Sequence, residues 1–134
     1  LAAFKKAVES GFEKIALTLT GENAALAADL REREEELGGK AMILAVHNTG
    51  IIKSQADILA ESCDLVWSCA SRAVREVAGR KALFQMGISI PVFAFTLAGK
   101  RLLLNRALHF KDPLVMHRAA LPLAPEDKQP RPLV

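Results

Sequence analysis

The chain has 134 residues, and 51% of them are hydrophobic, which is enough for one domain with a substantial core. Its 18 basic and 15 acidic residues give a net charge of +3 and form no basic stripe, which argues against nucleic-acid binding. No apolar run approaches the ~20 residues of a membrane-spanning helix and no secretory signal opens the chain, so we expect a cytoplasmic protein.

The first third of the sequence predicts a helix, a strand and a second helix. Residues 1–10 place apolar side chains on one helical face, and Gly11 follows as a stop signal. Residues 14–19 are short and apolar, as in a buried strand, and residues 22–37 have helical spacing before Gly38.

The same alternation continues through the middle of the chain. Residues 41–46 predict a second buried strand, and the sequence His-Asn-Thr-Gly at 47–50 predicts a loop behind it. Ser54 and Asp57 have the spacing of a capping box, which predicts that a helix begins there and continues to about Cys63.

The last predicted elements are two strands and two helices. A third strand is expected over 65–69, followed by a helix over 71–78, and residues 81–87 give no clear assignment. Residues 90–96 predict a fourth strand and residues 97–108 a final helix.

Strands that are apolar on both faces and separated by helices indicate a parallel sheet covered on both sides. We therefore predict an α/β fold, a three-layer Rossmann-like sandwich with a mostly parallel sheet of about four strands. The predicted domain covers residues 1–108. Residues 109–134 contain five prolines and predict an extended tail that wraps the domain, docks on a partner or is disordered. Because the chain starts without methionine, we expect a fragment of a longer protein.

Polar residues follow each predicted strand, and in a parallel sheet these positions converge at one edge beside helix N-termini. The positions are Thr20, Gly21, Glu22 and Asn23, then His47, Asn48, Thr49 and Gly50, then Cys69, Ser71 and Arg72, and finally Thr96, Gly99 and Lys100. The opposite edge is predicted to hold Lys14, Lys40, Asp64 and Ser89. Helix starts with an arginine and a lysine favour a small anionic ligand such as a phosphate or carboxylate. Turn and cap residues are polar in any fold, however, so a purely structural interpretation stays open.

Two of these residues are candidates for chemistry. His47 is a candidate general base or metal ligand, although a histidine at a strand end is more often a hydrogen-bonded structural residue. Cys69 is a candidate thiolate, and the alternative is a small buried hydrophobe beside Trp67. The remaining candidates are ligand-binding residues: Asn48, Thr49, Gly50, Ser71, Arg72, Thr96, Gly99 and Lys100.

No cofactor motif is present. The segment around Gly99 and Lys100 lacks the glycine spacing and the hydroxyl of a phosphate loop, and no dinucleotide, esterase or zinc-protease motif occurs. Two cysteines and one well-placed histidine make an incomplete set for a metal or an iron–sulfur cluster, so no metal site is predicted.

Two stretches, Ala45–Ile51 and Cys63–Leu104, resemble the C-terminal half of methanogenesis marker protein 8, a family of unknown function. The resemblance runs from about Lys5 to Leu104. The family pattern falls on His47, Thr49, Gly50, Cys69, Ala70, Ser71, Gln85, Gly87, Pro91, Thr96, Gly99 and Lys100. Asn48 replaces the expected threonine, and the sequence after Arg106 lies outside the pattern. The resemblance implies an association with methane metabolism and an absent N-terminal half.

Three hypotheses remain at this stage, and the third, metal or iron–sulfur binding shared with the missing N-terminal half, ranks last because the ligand set is incomplete. The first is a domain that binds a small anionic ligand, with or without catalysis, at the predicted edge. The second is a non-catalytic interaction or assembly domain whose tail and sheet edge contact another subunit, a second copy of the chain or the missing half.

Overall fold

The computed structural model describes residues 1–134 as alternating strands and helices. The strands are β1 Lys14–Thr20, β2 Lys40–Val46, β3 Leu65–Trp67, β4 Phe84–Met86 and β5 Val92–Ala94. The helices are α1 Ala2–Glu9, α2 Ala24–Arg33, α3 Lys53–Ser62, α4 Gly79–Lys81 and α5 Leu97–Ala107, with 3-10 helices at Gly21–Asn23 and Glu126–Lys128. A π-helix at Val74–Ala78 runs directly into α4, so residues 72–81 form one helical unit, here called helix 72–81.

The five strands form one sheet in the order β1-β2-β3-β5-β4. β1, β2 and β3 are parallel neighbours, whereas β5 is antiparallel to both β3 and β4. Four of the five strands therefore point the same way. The predicted mixed α/β class with a mostly parallel sheet is confirmed, but the sheet has a fifth strand, because β4 lies within the unassigned stretch 81–87.

The prediction that the strand over 90–96 runs parallel to the others is wrong. β4 and β5 are joined by the five residues 87–91, with Gly87 in the left-handed region at φ 84°. A parallel connection needs a crossover of about a dozen residues or more, so a loop this short can only reverse the chain. β5 therefore returns between β3 and β4, and its end lies at the opposite edge from the one predicted.

The two faces of the sheet carry separate apolar clusters, because successive strand residues point to opposite faces. Ile43, Val66 and Phe93 belong to the larger cluster, to which α2, α3 and helix 72–81 also contribute. Leu65 and Ala94 point to the other face and pack with Leu103 of α5. Helices thus pack on both faces, most of them on one.

The N-terminus of α3 differs from the predicted one. The helix is capped by Ile52, whose backbone N–H donates to the side-chain oxygen of Gln55 at 3.0 Å. Ser54 lies inside the first turn, and Asp57 accepts a hydrogen bond from Lys81 Nζ at 2.7 Å. The predicted capping box of Ser54 and Asp57 is therefore wrong.

The proline-rich segment, residues 109–134, has no helix or strand apart from the 3-10 turn at Glu126–Lys128. Its last residue is held at the end of β3, where Val134 N–H donates to Ala70 O at 2.9 Å and Arg72 N–H donates to Val134 O at 2.8 Å. Gln85 anchors it further by exchanging two hydrogen bonds with the Leu123 backbone. Elsewhere in the fold, none of the helices is long and apolar enough to cross a bilayer.

Candidate ligand-binding site

The carboxyl ends of β2 and β3 place two predicted residues, His47 and Cys69, in similar turns. β2 ends at Val46 and β3 at Trp67, and these strands are neighbours. Both His47 and Cys69 adopt left-handed backbone conformations, with φ 55° and φ 49°. Such conformations are costly for residues other than glycine and often occur at functional sites. We call this edge, with residues 47–50 and 69–72, the rim.

Asn48 ties the rim together from below. Its side chain is fully buried, and Nδ2 donates to Ala45 O at 3.1 Å and to Trp67 O at 2.6 Å. Oδ1 is the one buried side-chain polar atom without a hydrogen-bond partner. It faces Gly21, where an added Cβ would lie 2.5 Å from it. Asn48 is thus a connector between the ends of β2 and β3, and its position requires glycine at the end of β1.

Of the remaining rim residues, two make structural hydrogen bonds and two are exposed. Thr49 Oγ1 accepts from Ala70 N–H at 3.3 Å, which links the two turns. Ser71 is buried and its Oγ accepts from Val74 N–H at 3.2 Å, as expected for a residue that caps helix 72–81. Gly50 is exposed, with φ 81° and open space around its Cα. The side chain of Arg72 is 62% exposed and reaches Glu76 at 3.9 Å.

Arg75 lies directly behind the turn that carries Cys69. The residue is 4% exposed, and its guanidinium donates to the backbone oxygens of Ser71 at 2.9 Å, Cys69 at 2.7 Å and Ser89 at 3.0 Å. Its Nε donates to the side-chain oxygen of Gln129. No carboxylate lies within 4 Å, so the charge is buried among neutral acceptors. Burial lowers the pKa of Arg75, and the electrostatic interaction with Cys69 opposes that shift.

Arg75 and Ser89 lie next to the rim, and the sequence did not reveal either position. Ser89 was predicted at the opposite edge, and it changes edge because the β4–β5 reversal brings residues 87–91 beside Cys69. Arg75 falls inside a helix that also carries Arg72 and Arg80, and nothing in the sequence distinguishes the buried arginine from the exposed ones.

Three predicted ligand-binding residues are not at the rim. Thr96, Gly99 and Lys100 follow β5, whose reversed direction takes them to the opposite edge, where Thr96 and Gly99 lie beside Asp64, just before β3 begins. Thr96 caps α5 by accepting from Gly99 N–H at 3.0 Å. Gly99 packs against the Asp64 carbonyl so closely that no Cβ would fit. Their predicted convergence with His47 and Cys69 is therefore wrong.

The edge around Asp64 is a structural network. Asp64 Oδ2 accepts from Arg31 Nη2 and from Ile43 N–H, both at 2.8 Å. Burial alone would lower the pKa of Arg31, but the charges of Asp64 and Glu34 and their hydrogen bonds outweigh it, so that the pKa is raised. Cys63 is buried in the same region, and desolvation raises its pKa to about 12. We find no group of three or more histidine, cysteine or acidic side chains that could hold a metal ion.

A protein-family model described as "uncharacterized protein conserved in archaea (DUF2099)" matches residues 1–108. The chain belongs to this family. A further relative from Methanocaldococcus jannaschii, named uncharacterized protein MJ0054, is 38% identical over 130 residues.

The match to the MJ0054 protein covers 97% of this chain but only 44% of that relative. The chain thus spans less than half the length of its relative. No solved structure matches the chain. Neither the DUF2099 description nor the name of this relative states an activity.

Proposed function

We propose that this DUF2099 domain binds a small anionic ligand at the rim, at the carboxyl ends of β2 and β3. The observation that carries the proposal is the guanidinium of Arg75, which is buried behind Cys69 and Ser71 without an anionic partner. A buried cation hydrogen-bonded only to neutral oxygens is costly, and a bound anion would offset that cost. Arg72 supplies a second, exposed guanidinium at the same turn.

His47 and Cys69 are the proposed reactive residues. Their turns are linked by the hydrogen bond between Ala70 N–H and Thr49 Oγ1, which supports a single surface that contains both residues. An imidazole can transfer a proton near neutral pH, and a thiol near a guanidinium can act as a nucleophile. Asn48, Thr49, Gly50 and Ser71 shape this surface through their backbone and side-chain contacts.

A titration of the uniformly ¹⁵N-labelled protein tests the proposal. Sodium phosphate, sulfate and citrate are added at constant ionic strength, and amide shifts are mapped. We expect saturable shifts concentrated in residues 47–50 and 69–72. Arg72→Gln should weaken binding at least about tenfold, since one charge-assisted hydrogen bond is worth roughly 1.5–3 kcal/mol. Arg101→Gln, an exposed arginine on α5, is the matched control. Shifts confined to residues outside the rim contradict the proposal.

A second candidate function is an interaction domain. An apolar groove of about 1000 Å³ lies between edge strand β4, helix α5 and the proline-rich segment. Leu114, Val115 and Met116 line it and are 60%, 91% and 67% exposed. Contiguous exposed apolar surface of this kind is typical of interfaces. Light scattering on Val115→Asp, compared with wild type, tests association, and a monomer in both cases contradicts it.

We also propose two finer assignments. The ordered motif from His47 to Lys100 supports membership in the methanogenesis marker protein 8 family. A Rossmann-like three-layer sandwich would be complete if further chain covered the second face of β1, where Ala16 and Thr18 are exposed. The structure of a full-length archaeal relative tests whether further residues form the covering layer and whether the chain has the N-terminal half expected for that family.

A further inference from the structure

A cavity of about 470 Å³ lies between helix 72–81 and the proline-rich segment. Its volume is within the roughly 300–1,000 Å³ that is usual for small-molecule sites. Helix 72–81 forms one wall, and Gln129 and Arg131 belong to the other. The cavity adjoins the rim, because Arg72 belongs to both and Arg75 lies directly behind the turn that carries Cys69.

The walls of this cavity carry an excess of positive charge. Four arginines line it, Arg72, Arg75, Arg80 and Arg131, together with the carboxylates Glu76 and Glu126. Four positive and two negative groups leave a formal charge of +2. Arg80 and Arg131 have no carboxylate within 4 Å, and neither has Arg75.

All four arginines line the same cavity, as the site of a multivalent anion requires. Arg72, Arg75 and Arg80 come from the same helical unit, whereas Arg131 faces them from the proline-rich segment. Like charges brought together around a cavity repel one another unless an anion lies between them. Guanidinium groups bind phosphate by paired N–H donors, and a phosphate monoester carries about −1.5 to −2 at pH 7.

We propose that this cavity binds the phosphate of a phosphorylated small molecule, with Arg72, Arg80 and Arg131 as its ligands and Arg75 as the buried cation behind them. The inference rests on the proposed function in one respect, namely that Arg72 binds the same anion in both. A bare phosphate is much smaller than 470 Å³, so room remains for an organic portion. By joining helix 72–81 to Arg131, the phosphate also fastens the proline-rich segment to the domain.

Isothermal titration calorimetry with inorganic phosphate and with glycerol phosphate tests the inference, with sodium succinate as the carboxylate comparison. The test variant is Arg80→Gln combined with Arg131→Gln, two exposed residues whose loss should leave the fold intact. The control variant, Arg101→Gln with Lys111→Gln, removes the same charge from exposed positions elsewhere. We expect both phosphates to bind the wild type, and the test variant to bind them at least tenfold more weakly. The control should bind within twofold of wild type.

Three results overturn the inference: equal weakening by both variants, no weakening by the test variant, or tighter binding of succinate than of either phosphate. The proposed function fails separately. If Arg80→Gln/Arg131→Gln abolishes binding while residues 47–50 and 69–71 show no shift, the cavity binds phosphate and the rim does not. If the rim shifts persist in that variant and its affinity for phosphate is unchanged, the rim proposal stands and the cavity inference falls.

Discussion

Thr96 and Asp64 are joined by a hydrogen bond of 2.5 Å from the threonine hydroxyl to Oδ1 of the aspartate. The same hydroxyl oxygen accepts from Gly99 N–H, so one side chain both starts α5 and holds it against the beginning of β3. Thr96 and Gly99 thus have a structural explanation that requires no ligand.

Gly99→Ala should destabilise the protein by about 1–3 kcal/mol, because the new methyl group would collide with the Asp64 backbone carbonyl, which cannot rotate away. In a helix, alanine is otherwise favoured over glycine by about 1 kcal/mol. A decrease in the free energy of unfolding would therefore show that the methyl group collides with the carbonyl. Urea denaturation measures the effect. Lys100→Ala, at the next position, should change stability by no more than about 0.5 kcal/mol. Equal stability of Gly99→Ala and wild type would contradict the close packing.

Position 47 should accept glycine in place of His47 better than it accepts valine. Its φ of 55° is accessible to glycine without strain and strongly unfavourable for a β-branched residue. We expect His47→Gly to be more stable than His47→Val by at least about 1 kcal/mol, measured by thermal denaturation. The same pair at His109, which has no positive φ, is the control and should not favour glycine. A valine variant as stable as the glycine variant would show that the turn is not held in this conformation.

Arg75→Met should cost about 2 kcal/mol or more, since it leaves the carbonyls of Cys69, Ser71 and Ser89 without their donor. The bond to Gln129 is lost as well, so trypsin should cleave the proline-rich segment faster. Urea denaturation and timed proteolysis measure the two effects. Arg72→Met, on an exposed side chain, is the comparison and should stay within about 0.5 kcal/mol of wild type. Unchanged stability of Arg75→Met would show that these hydrogen bonds do not hold the Cys69 turn, and the rim proposal depends on them.

Cys63 should make the fold less stable at alkaline pH. Burial raises the pKa of its thiol from 9.0 to about 12, so the folded chain keeps a proton that the unfolded chain releases. The contribution of this thiol to the free energy of unfolding is fully present below pH 9. It is lost as the pH rises toward 12, by at most about 1.4 kcal/mol per pH unit. The free energy of unfolding, compared at pH 8 and pH 10.5, should fall less in Cys63→Ala than in wild type. Parallel decreases in the two proteins would exclude this role.

Much of the fold could be predicted because the strands up to β3 alternate with helices and have distinct apolar patterns. β1 and β2 agree with the predicted segments 14–19 and 41–46 to within a residue. Local pattern does not encode strand direction, however. The short connection at 87–91 reveals the reversal only once β4 is identified. β4 is a three-residue strand without a strong apolar pattern, so β5 was predicted to be parallel.

The candidate site was predicted in part for the same reason. The turns at 47–50 and 69–72 follow two truly parallel strands, so their convergence could be anticipated. Thr96 and Lys100 were assigned to the rim by the same rule, which fails when one strand is reversed. The burial of Arg75 depends on Gln129, more than fifty positions away, and no short-range signal reports such a contact.

The order β1-β2-β3-β5-β4 also bears on synthesis at the ribosome. β4 emerges before β5, yet it pairs only with β5, so it has no place in the sheet until the following strand arrives. In the interval the nascent chain presents the free side of β3, with Val66 and Trp67, as an unprotected edge prone to association. The final assembly step is therefore the joint docking of the hairpin, and variants that delay it should aggregate during translation even when the finished protein is stable.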